Sequence, residues 1–210
     1  MGQSRLVAAA FAALAWASLV FSLALGLFYA GRDGTTVMAV LGSYVSSFTI
    51  LANAMAAALL TAVAIDPKNL RRAEAFTAVA TYLLVVTLTY LAEFHGALET
   101  SGIRMLPDAA IHEALPLLFI TFWFAYLPKG ALGWRSPFVA LAFPLAYLAY
   151  MLTRGALTGV YAYPFLDVGA LGYGRVALAS TALLGVYLVA GFGFLAIDCA
   201  MGGGGARKAA

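Results

Sequence analysis

Ser46, Thr49 and Asn53 recur at spacings of three and four, so on a helix their side chains share one face, and Gly42 extends that stripe. Hydroxyl and amide groups on an apolar helix bond back to the carbonyl one turn earlier, glue helices together, or work on a ligand. His112 is the second candidate. An ionisable side chain at the edge of an apolar run is costly and is a functional candidate by default. The sequence places it in the first turn of its helix, where the positive end of the helix dipole favours the neutral imidazole, the form that accepts a proton. Four residues on, Pro116 has no N–H for the His112 carbonyl and crowds that turn. A kink and a small polar opening are expected beside the ring. An interfacial histidine wetted by headgroups has the same sequence signature.

Two further groupings carry charge. Asp167 and Arg154 suit an ion pair that pins the segment between them. Alternatively, Asp167 orients His112 in a nucleophile, base and orienter arrangement. Glu93 and His95 suggest a haem held by two histidines whose second ring nitrogens meet carboxylates. Nothing else in the chain supports a haem. A lone Cys199 excludes an internal disulfide and a cysteine-built metal site, and the chemistry favoured for this chain requires neither metal nor organic cofactor.

These residues sit in a chain that is 64% hydrophobic and 10% charged, with a mean hydropathy of +0.94. Such a composition cannot present a water-soluble surface, which makes this an integral membrane protein of the all-α class. The net charge of +3 is therefore no nucleic-acid signal. Six runs are expected to span, within one domain over 1–200. The first, 6–30, is too long and uncharged for a signal peptide core and reads as a retained helix. The second covers 37–65 and stops at Asp66 and Pro67. The third starts near 76 and runs on through Glu93 and His95. The fourth lies between Pro107 and Pro128. The fifth opens with Ser136 as cap and Pro137 as first helical residue. The sixth covers 176–197, and the Gly-rich basic tail, 201–210, is expected to be flexible.

Small residues, namely Ala54, Ala56, Ala57 and Ala58 with Thr181 and Gly185, mark expected close helix contacts. Arg5, Lys68, Arg71, Arg72, Lys129, Arg135, Arg207 and Lys208 fall on one side of the six spans. Arg32, Arg104, Arg154 and Arg175 fall on the other. Eight against four places both termini in the cytoplasm. Most carboxylates, both histidines and the segment 152–175 then gather at the outer face.

That segment, LTRGALTGVYAYPFLDVGALGYGR, is too polar and too rich in Gly and Pro for a membrane helix. Its aromatics, Tyr161, Tyr163, Phe165 and Tyr173, suit a loop folded back onto the bundle at headgroup level. YPFLD at 163–167 followed by LGYGR at 171–175 resembles the penultimate loop of the androgen-induced family of integral membrane proteins, which includes the androgen-dependent regulators of tissue factor pathway inhibitor. The run from PLAYLAY through MLTRGALTGVYAYPFLDV resembles its bacterial branch.

The resemblance implies a multi-pass hydrolase of fatty acid esters of hydroxy fatty acids. It also implies a threonine nucleophile and a histidine base within the membrane. Thr49, in SFTI, matches that threonine, and His112, in IHEALPLLF, matches that histidine. Ser46, Asn53, Arg154, Tyr163 and Asp167 are the expected supporting or substrate-binding residues. The implied partners are membrane lipids and a lipid ester, in a cytoplasmic membrane. The alternative is a lipid-binding or scaffolding membrane protein without catalysis, and a permease is a third reading.

Overall fold

The computed structural model describes residues 2–94, 103 and 105–206, with the side chains of 93, 94 and 204–206 left out. His95, Arg104, Arg207, Lys208 and the side chain of Glu93 therefore lie outside the described residues, and with them the haem idea. Among the described residues every regular element is helical. Six helical stretches are long and apolar enough to cross a membrane, which is the architecture of a multi-pass membrane protein.

Helix α1 (Gly2–Ala30) lies along α3 (Phe48–Ile65). Ala8, Ala12 and Ala15 on one side and Ala52, Ala56 and Ala57 on the other are all buried, so small side chains let the two backbones approach. Arg5 Nε donates to the Ala64 carbonyl at 2.6 Å and ties the two ends together. Ala58, by contrast, is exposed, as is Thr181, and nothing lies close to Gly185. The expected Thr181 and Gly185 contact is thus absent, because that face of the last helix points outward.

Between α1 and α3 stands a short helix, α2 (Val37–Val45). The run expected to be continuous over 37–65 breaks at two serines. Ser46 ends α2, and Ser47 leaves helical geometry to cap α3, its side chain accepting from the Ile50 amide. Thr49 consequently lies in the first turn of a helix rather than in the middle of one.

Helix α4 (Ala73–Phe94) packs against α3 and against the three spans that follow. Those are α5 (Met105–Ala109), a π turn (Ala110–Ala114) and α6 (Leu115–Tyr126); then α7 (Ser136–Ala140) and α8 (Ala142–Thr158); then α9 (Val168–Ala206). Prolines break the fourth and fifth spans, and α4 repairs both. Pro144 cannot donate to the Ala140 carbonyl, which accepts instead from the Tyr82 hydroxyl at 2.6 Å. Pro116 cannot donate to the His112 carbonyl, which accepts from Thr87 Oγ1 at 2.7 Å. Trp123 Nε1 donates to Thr77 Oγ1 at 2.8 Å, so α4 holds its neighbours by specific bonds as well as by apolar packing.

Several expected boundaries move. Ser136 is itself the first helical residue, and its hydroxyl accepts from the Gly133 amide and donates to Glu74. The Gly-rich tail is helical through Ala206, and Gly202 seats against the Gly130 backbone without room for a Cβ of its own. The segment 152–175 is mostly helical: α8 continues to Thr158, Gly159 closes it with a φ of 70°, and α9 begins at Val168. The connection 159–167 is irregular, with a 3-10 turn at Pro164–Leu166, and Gly172 (φ 75°, ψ 157°) kinks α9 near its start. The connection does fold back. Tyr161 sits directly on Gly155, and Leu166 is buried.

Candidate functional site

The break after Ser46 points Phe48 and Thr49 into the bundle. Phe48 is buried among the rings of Tyr82, Phe143, Tyr147 and Tyr187, with centroids 5.0 to 6.0 Å away. Beside it, Thr49 is buried and lines a cavity of about 130 Å³. His112 lines the same cavity from the π turn. The walls between them are largely apolar, from Val85, Val86, Leu148, Leu183 and Leu184.

The π turn arises where Leu115 N–H reaches back five residues to the Ala110 carbonyl. In that register the next donor belongs to residue 116, a proline, so the Ile111 carbonyl is left open. Asn53 Nδ2 fills it at 2.9 Å and donates its second proton to the Thr49 carbonyl, also at 2.9 Å. One amide therefore joins the turn that carries Thr49 to the turn that carries His112. Asn53 is 1% exposed, and its Oδ1 has no partner. It acts through backbone positioning, the packing role weighed above for the Ser46, Thr49 and Asn53 stripe.

His112 lies two turns into its span rather than at the start, away from the helix N-terminus expected beside it. Nδ1 is 3.0 Å from the Asp108 carbonyl and 3.2 Å from Asp108 Oδ1, both acceptors. Nδ1 is therefore the hydrogen-bond donor, which in the neutral ring leaves the lone pair on Nε2. Tyr90 completes the arrangement. Its hydroxyl donates to Asp108 Oδ2 at 2.9 Å and its ring stacks on the imidazole at 4.5 Å. Neither Asp108 nor Tyr90 was among the expected site residues, although the spacing D-x-x-x-H at 108–112 places the two side chains on one helical face.

The expected orienter, Asp167, is elsewhere. Its Oδ1 accepts from the Ala170 amide at 3.0 Å, capping α9. Arg154 donates to the Val160 carbonyl at 3.3 Å. Each braces one end of the 159–167 connection, and they form no ion pair with each other. Ser46 also stands outside the cavity lining: its hydroxyl shares a 2.8 Å bond with Tyr150, and its carbonyl accepts from Tyr147 at 2.6 Å. Tyr163 does reach the cavity, where its hydroxyl accepts from the Phe48 amide at 3.3 Å.

Thr49 and His112 share the cavity without a direct hydrogen bond between them, and neither the Thr49 hydroxyl nor His112 Nε2 has a protein partner among the described residues. No group of three or more metal-ligating side chains occurs among the described residues. Comparison with protein families, with curated proteins and with solved structures finds no match for this chain.

Proposed function

We propose that the chain is an integral membrane hydrolase of fatty acyl esters, with Thr49 as nucleophile, His112 as base and Asp108 as the group that orients the histidine. The observation that carries this reading is that Thr49 and His112 line one largely apolar cavity, with neither the Thr49 hydroxyl nor His112 Nε2 bonded to a protein group among the described residues. The resemblance of 163–175 to the androgen-induced family points the same way.

In the proposed reaction, His112 Nε2 takes the Thr49 proton as Oγ1 attacks the ester carbonyl. The oxyanion forms at the start of α3, where Ser47 Oγ holds the Ile50 amide and Tyr163 holds the Phe48 amide. Helix geometry leaves the Thr49 amide with no acceptor in its own helix, so it is the donor available to that oxygen. The imidazolium, held by Asp108, returns the proton to the departing alcohol. A water then attacks the acyl-threonine through the same histidine, releasing the acid. The dry walls strengthen each of these polar contacts.

A positive-inside orientation puts both termini in the cytoplasm and the 159–167 connection on the outer side of the cytoplasmic membrane. A second reading, a lipid-binding protein without catalysis, is favoured by the absence of a direct bond between Thr49 and His112. Catalytic bonds are often long without substrate, and hydrolysis separates the two. Purified protein in phospholipid vesicles should release acid from a fatty acid ester of a hydroxy fatty acid. Thr49→Ala and His112→Ala should each lose about 10³-fold or more of that rate. Equal rates for all three proteins would refute the reading.

A further inference from the structure

Ser180, in α9, lines the cavity and is 7% exposed, yet its hydroxyl has no partner. A serine or threonine inside an apolar helix ordinarily donates to the carbonyl four residues earlier. Thr61, Thr81, Thr89, Thr153 and Thr158 all do so at 2.7 to 2.9 Å, and the adjacent Thr181 donates to the Ala177 carbonyl at 2.8 Å. Ser180 could make the same bond to Val176 and does not. Tyr187, two turns further along the same face, also lines the cavity with a hydroxyl that bonds to no protein group among the described residues.

The relative depth of these hydroxyls follows from α9. The Tyr187 ring lies 5.8 Å from that of Phe48, the neighbour of Thr49, so Tyr187 marks the level of the proposed nucleophile. Seven helical residues rise about 10 Å, which sets the Ser180 backbone that far along α9 from that of Tyr187, on the side of the 159–167 connection. Phe165 and Leu166 of that connection also line the cavity. Ser180 is thus an unpaired buried hydroxyl within a largely apolar cavity, and a free oxygen on the alcohol half of an ester would satisfy it where a hydrocarbon chain would not.

We infer that Ser180 is a substrate-positioning residue that hydrogen-bonds a free oxygen on the alcohol half of the ester, so that the cavity prefers esters of polyols to esters of simple alcohols. The assignment to the alcohol half rests on Thr49 as nucleophile. The hydrogen bond itself is tested by binding alone, which keeps the two failures apart.

The test uses the full chain in detergent and two ethers that cannot be hydrolysed, 1-O-hexadecylglycerol and hexadecyl methyl ether. Apparent affinities come from the concentration dependence of the melting temperature. Wild type should bind the glyceryl ether about fivefold or more tightly than the methyl ether, the scale of one net hydrogen bond. Ser180→Ala should bind both alike and, without ligand, melt no lower than wild type, since it removes an unpaired buried hydroxyl. Thr49→Ala should keep the wild-type preference even though hydrolysis is lost. A wild type that does not distinguish the ethers, a Ser180→Ala variant that keeps the preference, or no stabilisation by either ether would overturn the inference.

Discussion

His112 presents Nδ1 to Asp108 alone, at 3.2 Å from the carboxylate and 3.0 Å from the carbonyl of the same residue. Because both are acceptors, the imidazole is held in the tautomer that keeps its Nε2 lone pair free. Asp108→Asn replaces one acceptor by an amide and removes the carboxylate charge beside the ring. Its kcat in ester hydrolysis should fall by about 10³- to 10⁴-fold with KM little changed. A fall in apparent kcat accompanied by a lowered melting temperature would instead mark a folding defect.

Tyr90 acts one step further out, through Asp108 Oδ2 and through its ring against His112. Tyr90→Phe keeps the ring and loses the hydrogen bond. A fall in kcat of about tenfold is expected, the scale of one hydrogen bond to a charged group. Tyr90→Ala, which loses the stack as well, should fall further. Steady-state rates of the two variants check the order.

Asn53 is the bond between the two halves of the site. Asn53→Ala leaves the Ile111 carbonyl buried without a donor and opens a void, which should cost about 2 to 4 kcal/mol of stability. Thermal melting in detergent measures it. Thr87→Val, which orphans the His112 carbonyl while conserving shape, should cost about 1 to 3 kcal/mol by the same measure.

Pro116 maintains the π turn by withholding an N–H. Pro116→Ala supplies one, and with it the option of ordinary α-helical register through 110–116. Removing the extra residue from the turn rotates His112 by about 100° about the helix axis. Hydrolysis should be lost while melting temperature is kept or raised, a combination that packing damage would not produce.

Much of this was legible in the sequence. Length and apolarity located six spans, and the absence of an N–H at Pro116 pointed to an exposed carbonyl at His112. Three features were less legible. The break at Ser46 and Ser47 hides inside an apolar run because serine is tolerated within membrane helices, and only its capping geometry stops the helix. The helical state of 152–158 was obscured by Arg154 and Gly155, whose costs are offset by a bond to Val160 and by Tyr161 packed on the glycine. Asp167 drew attention by sitting in a distinctive motif, yet it serves as a helix cap. Asp108 carried the less conspicuous signal, a four-residue spacing to His112, which becomes informative only once the helix is known to extend through it.

The central claim is that Thr49 is the nucleophile and His112 its base. The most direct measurement is to label the detergent-solubilised full chain with a fluorophosphonate probe and locate the adduct by peptide mass spectrometry. One modified residue is expected, Thr49, with labelling lost in Thr49→Ala and strongly slowed in His112→Ala. An adduct on another residue, or equal labelling of all three proteins, would contradict that claim.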